Sequence, residues 1–187
     1  FTSALSPRRS NSMKKEKATD GGAARKWLLI PLSALAAAFL INFFIIVNAR
    51  VPSGSMRPTV PENSAVLGLR TSYAFSPPER GDIVFFKRSD ISSALLIKRI
   101  VALPGETFEM RGGRVFINGE ELREDYVSEF SSEDIAPITL PDDAYIILGD
   151  DRLNSSDSRA WDDPFVRRGD IKAKALFVYL PRFSSLG

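Results

Sequence analysis

Two serines, Ser53 and Ser55, flank a glycine in the stretch VPSGSMRPTV at residues 51–60. Pro52 and Pro58 restrict the backbone on both sides of Ser55, and Gly54 permits another chain to approach closely. Such a bend can present a hydroxyl as a nucleophile, with backbone N–H groups beside it for an oxyanion. Taken alone, the stretch is better read as an ordinary post-membrane linker rich in Pro, Ser and Gly. A serine nucleophile also needs a base, and the sequence contains no histidine and no cysteine. Those absences exclude the Ser-His-Asp triad, thiol nucleophiles, disulfides, zinc sites built on imidazole and metals held by cysteine.

Lys98 is the candidate base. In LLIKRIVALPG, strand alternation puts Leu96, Lys98 and Ile100 on one face and Ile97, Arg99 and Val101 on the other. A lysine between apolar neighbours is desolvated, which disfavours the ammonium form and leaves an amine able to take a proton. The competing reading is a lysine that protects an exposed edge strand from pairing. A third chemical stretch, GDDRLNSSDSRAWDD at 149–163, follows the apolar run AYIIL. Its acids invite a calcium reading, but it lacks the glycine and terminal glutamate of an EF-hand loop. It also contains a possible Asp157–Arg159 pair and an Asn154-Ser155-Ser156 sequon. Ser12 and Lys15 match an S-x-x-K spacing, but they stand in a charged, unpatterned tail where no site could be built.

The elements that would carry these residues are legible from charge and hydropathy. Residues 27–49, WLLIPLSALAAAFLINFFIIVNA, carry no charge and are long enough to cross a bilayer as one helix. The run is longer than a typical signal core, and Val47 stands where A-x-A cleavage wants alanine, so a retained anchor is expected rather than a cleaved signal. Residues 1–26 carry Arg8, Arg9, Lys14, Lys15, Lys17, Arg25 and Lys26 against Glu16 and Asp20, a basic tail for the cytoplasmic side. Its first twelve residues, before Met13, read as an open tail or as sequence upstream of a start. The net charge is +2, so the body at 50–187 is mildly acidic and nucleic acid is not the expected partner.

Beyond residue 50 the chain shows short β-like runs between turn residues: 64–70, 82–87, 94–103, 107–111, 114–117, 144–149 and 174–180. Gly112-Gly113 and Asn118-Gly119 are tight-turn pairs, and 120–143 reads as an acidic surface loop. The expected fold is mostly β: one N-terminal transmembrane helix followed by an extracytoplasmic, antiparallel β-rich domain.

Together these stretches resemble type I signal peptidases, the membrane-anchored Ser–Lys proteases of the bacterial kind. PSGSMRPT is similar to the family's nucleophile box, ERGDIVFF (79–86) to its next strand box, IKRIVALPGE (97–106) to its lysine box and GDDRLNSSDSR to its last box. Their order behind an apolar run is the family's too, and the resemblance covers roughly residues 27–180. It implies a signal-peptidase-like catalytic domain in which Ser55 is the nucleophile and Lys98 the general base. Ser53 and the backbone N–H of Ser55 would form the oxyanion hole. Ser155 would orient the lysine amine, with Asp157, Ser158 and Arg159 as support and Arg99 following the base. Val51, Pro52, Met56 and Ile97 would shape shallow pockets for small side chains. Asp151 departs from the asparagine usual in the last box, which adds a charge there. The implied activity is removal of signal peptides from secreted preproteins after A-x-A, beside the lipid bilayer, with no cofactor and no metal. The eukaryotic branch with a histidine base is excluded by composition. A soluble self-cleaving repressor is opposed by the apolar run, and a non-catalytic anchored β module leaves the order of Ser55, Lys98 and Ser155 as coincidence.

Overall fold

The computed structural model describes residues 21–186. Ser12, Lys15 and most of the basic tail lie outside the described residues. The chain divides into two compact units, the first reaching Phe39 and the second starting at Leu40. Helix α1 (Gly21–Phe44) contains Pro31, and the hydroxyl of Ser33 donates to the Ile30 carbonyl at 2.8 Å. Its part from Lys26 to Phe44 is long and apolar enough to cross a membrane. Leu28, Leu35, Phe39 and Phe43 are all exposed, an apolar surface that water does not favour.

The uncharged run continues to Ala49, but the helix does not. It stops at Phe44, and Ile46–Val51 forms strand β1, so the body begins earlier than the expected residue 50. The β-branched residues Ile45, Ile46 and Val47 are stiff at χ1 and suit a pleated ladder better than a helix. That ladder exists: β2 (Ser64–Leu69) pairs with β1 from Ile46↔Leu69 to Val51↔Ser64, and the Arg70 N–H donates to the Ile45 carbonyl at 2.7 Å.

The strands that follow are β3 (Ile83–Phe86), β4 (Leu96–Ala102), β5 (Thr107–Arg111), β6 (Arg114–Ile117), β7 (Glu120–Glu121) and β8 (Ile135–Thr139). After them come β9 (Ala144–Leu148), β10 (Val166–Arg167), β11 (Ile171–Leu180) and β12 (Ser184–Ser185). All pairings are antiparallel. The larger sheet has the order β1-β2-β11-β3-β4-β9-β10, with β12 on β11, and the smaller one β7-β6-β5-β8. The two predicted tight turns join β5 to β6 and β6 to β7, with positive φ at Gly112, Gly113, Asn118 and Gly119, as two-residue hairpins of this hand require.

The segment 120–143 is not wholly a loop, because β8 lies within it and pairs with β5. Its alternation is masked by Pro137 on an edge strand, yet Ile135 and Ile138 still pack onto the small sheet's core. That core, around Phe108, Met110 and Val115, is continuous with Val101 and Leu148 of the larger sheet. A second cluster joins Val47, Val51, Met56, Val66, Phe85 and Ile97, and a third joins Val84, Phe86, Ile100 and Ile147. Strands β3, β4 and β9 are almost wholly buried and therefore form a rigid base for whatever their ends carry.

Candidate active site

Strand β1 delivers the chain to Val51, after which it turns through residues 52–60. Hydrogen bonds from Arg57 N–H to the Gly54 carbonyl (3.0 Å) and from Val60 N–H to the Met56 carbonyl (2.7 Å) close this turn. Met56 and Val60 are completely buried beneath it, which fixes the backbone of Ser55 by packing. From the other side comes β4, whose residues 96–98 pair with β3 but not with β9, since the β9 ladder begins at Arg99↔Leu148. Lys98 Nζ lies 2.7 Å from Ser55 Oγ and 3.1 Å from the Ile97 carbonyl oxygen. Ser55 and Lys98 are each only 6% exposed, so the pair is shielded from bulk water. Burial pushes the Lys98 pKa down. The charges of Asp157 and Asp150 oppose this and that of Arg159 assists it, and the net direction is downward. Ser53 Oγ stands 3.3 Å from Ser55 Oγ.

The loop after β9 completes the surroundings. The Asp151 N–H donates to the Ser55 carbonyl at 3.1 Å, joining the last predicted stretch to the first. Asp157 accepts from the Gly149 N–H at 2.9 Å and from Arg159 Nε and Nη2 at 2.8 and 3.0 Å. Burial alone would raise the Asp157 carboxyl pKa, but Arg159 and the Gly149 N–H outweigh it and hold the group below its usual range. Ser158 exchanges hydrogen bonds with Ile147, donor and acceptor both, which pins the loop to β9. The Ser155 hydroxyl is buried near the Asp157 carboxylate, whose pKa it helps to hold down, and makes no hydrogen bond to the Lys98 amine. The Asp151 carboxylate lies in the turn, where it accepts from the Asn154 backbone and side-chain amides at 3.0–3.3 Å.

Four contributors were not singled out from sequence. Gly149 is required by close approach: a Cβ there would fall 2.2 Å from Ser155 Oγ and 2.5 Å from the Ser55 carbonyl oxygen. Asp150 binds Arg99 through two hydrogen bonds of 2.8 and 2.7 Å and takes a third from Thr59 at 2.5 Å. Arg152 donates to the Gly149 carbonyl at 3.0 Å and to both oxygens of Glu124, and that ion pair has essentially no exposure. Glu124 also accepts from the Tyr126 hydroxyl at 2.8 Å, while Arg99 lies over the Tyr126 ring. Arg99 next to Lys98, and acids in the 149–163 stretch, were the available signals. Which acid meets which base, fifty residues away, was not.

A cleft of about 330 Å³ opens beside the pair, lined by Ala49, Val51, Pro52, Ser53, Phe85 and Ile97 among others. Three of the four residues expected to shape pockets are there. Met56 is the correction: its side chain lies in the core with Val60 and Phe85, because the turn needs an apolar anchor beneath it.

The family described as "Signal peptidase, peptidase S26" matches residues 24–180. The chain is 34% identical over 163 residues to the probable signal peptidase I-1 of Synechocystis, covering 82% of each protein. It is 31% identical over 180 residues to signal peptidase I S of Bacillus subtilis, covering 90% of this chain and 96% of that one. A crystal structure of a signal peptidase I from Enterococcus faecalis is 32% identical, covers 53% of this chain and 97% of its own, and aligns with a TM-score of 0.47.

Two outcomes follow from this geometry. Gly149→Ala will lower kcat on the order of 100-fold, since a shift of about 1 Å in positioned groups costs that much, with a smaller change in the denaturation midpoint. Asp157→Asn leaves the nearly buried Arg159 cation with only the half-exposed Glu133 as its ionic partner and will cost at most about 3 kcal/mol in chemical denaturation near neutral pH. The folded-state pKa of Asp157 is depressed, so its stabilisation exists above the unfolded value and disappears as pH falls through the folded one. The gap between variant and parent will therefore close in acid.

Proposed function

We propose, from the premise that the chain belongs to the signal peptidase family, peptidase S26, that it cuts with Ser55 as nucleophile and Lys98 as general base. It is a serine peptidase that hydrolyses peptide bonds and removes signal peptides. The observation that carries the dyad is the 2.7 Å separation of two buried groups, Lys98 Nζ and Ser55 Oγ, with the lysine pKa displaced downward. In the neutral form Lys98 takes the Ser55 proton as Oγ adds to the scissile carbonyl. The Ser53 hydroxyl and the Ser55 N–H stand ready for the oxyanion. The resulting ammonium returns its proton to the leaving amine, and a water deprotonated by Lys98 then releases the acyl group.

The cleft supports a substrate held as an added strand. Strand β1 pairs only with β2 among the described residues, so its other edge is free, and 96–98 of β4 are unpaired on the side away from β3. A peptide laid between them points alternate side chains the same way. Val51, Ile97 and Phe85 limit the depth available to these, in keeping with small residues at the first and third positions before the cut. We assign α1 as a membrane anchor, with the basic tail up to residue 26 on the cytoplasmic side and the β-rich body across the bilayer; the charge asymmetry around the apolar run supports this orientation. Ser155, Asp157, Ser158 and Arg159 are assigned to support of the dyad.

Cleavage of a preprotein bearing an A-x-A site tests the reading, with Ser55→Ala and Lys98→Met compared to the parent after circular dichroism confirms folding. Both variants will lose cleavage; persistence in Ser55→Ala overturns the dyad. The neutral amine is the working form, so kcat/KM will rise with pH through a pKa below the usual lysine value of 10.5. A profile that falls as pH rises contradicts a lysine base.

A further inference from the structure

The turn that carries Ser55 separates two clefts. The one described above is lined by residues that precede Ser55 in the chain, Ala49 to Ser53. The other, of about 220 Å³, is lined by residues that follow it, Arg57 and Pro58, together with Glu129, Asp151, Leu153 and Asn154. One of its walls is tied to the nucleophile's backbone, because the Asp151 N–H donates to the Ser55 carbonyl. We propose that this second cleft receives the residues just after the scissile bond, and that Asp151 and Glu129 make it favour a lysine or arginine there over an acidic side chain. The proposal rests on Ser55 being the nucleophile.

On the proposed path, a peptide whose leading part fills the apolar cleft and whose scissile carbonyl reaches Ser55 Oγ continues past the turn into the second cleft, whose lining follows Ser55 in the chain. Its charge is one-sided once internal pairs are removed. Asp150, also at its wall, is neutralised by Arg99, and Arg57 is paired with Glu62. The Asp151 carboxylate is met only by the neutral amides of Asn154. Glu129 is exposed and forms no ion pair among the described residues. Two carboxylates thus remain uncompensated around one small groove.

The apolar component points the same way. Leu153 is 55% exposed between these acids and buries little against its own fold. An apolar shelf edged by carboxylates matches a long side chain with an aliphatic stem and a cationic head. A short acidic side chain would gain no stem contact and would be repelled by both carboxylates.

The test uses matched substrates, identical before the bond and carrying Lys, Gln or Glu at the first or second position after it, cleaved by the full chain in detergent. At low salt kcat/KM will favour Lys over Glu by about three- to five-fold, the range of a partly exposed charge pair, and the ratio will shrink at high salt. In the Asp151→Asn, Glu129→Gln double variant the ratio will fall to near one. Asp151 also closes its own turn, so Glu129→Gln alone, a residue without hydrogen bonds among the described residues, serves as the second variant and will reduce the ratio part-way. A ratio near one in the parent, or one unchanged in the double variant, overturns the subsite while leaving the nucleophile standing. Failure of the parent on every substrate overturns the nucleophile and the subsite together.

Discussion

A lysine amine kept out of water beside a serine hydroxyl is the constraint around which this fold is arranged. An ammonium group costs several kcal/mol to desolvate, so the packing around Lys98 biases it toward the neutral amine. Strands β3, β4 and β9 supply that packing, because nearly every position along them is buried. The Met56 and Val60 anchors do the equivalent for Ser55 from the side of β1. Neither half of the pair is positioned by its own neighbours alone.

The carboxylates nearby work against that desolvation, and the arrangement limits them by pairing each with a guanidinium. Asp157 belongs to Arg159 and Asp150 to Arg99, so the field at the amine is that of two dipolar pairs rather than two free anions. The same pairs hold the loop after β9. Gly149 lies between them and touches both Ser155 and the Ser55 carbonyl, so the absence of a side chain there is itself part of the site.

Much of this is legible in the sequence alone. Ser55 and Lys98 stand out because the chain offers no histidine or cysteine, and the apolar neighbours of Lys98 announce its burial. The strand runs and both tight turns follow from alternation and from residues that tolerate positive φ. What alternation cannot express is partner choice over long separations, which is why Asp150 with Arg99 and Arg152 with Glu124 went unseen. Composition also hides a change of element inside one apolar run, so β1 was merged with the helix before it. Met56 was assigned to the cleft by its place beside Ser55, although a large apolar side chain under a turn is drawn inward by its own burial. Strand β8 was missed because an edge strand with proline keeps too little alternation.

The buried Glu124–Arg152 pair joins a segment next to the small sheet to the loop behind the proposed nucleophile. Arg99 over Tyr126 makes a second connection between the same regions. Opening either region would strand a charge in the interior, so the two are expected to unfold locally as one cooperative unit rather than separately. The small sheet is then no appendage. Its fluctuations are those of the loop behind the proposed nucleophile, and amide protection in β5 and β6 will report on the rigidity of residues 149–159.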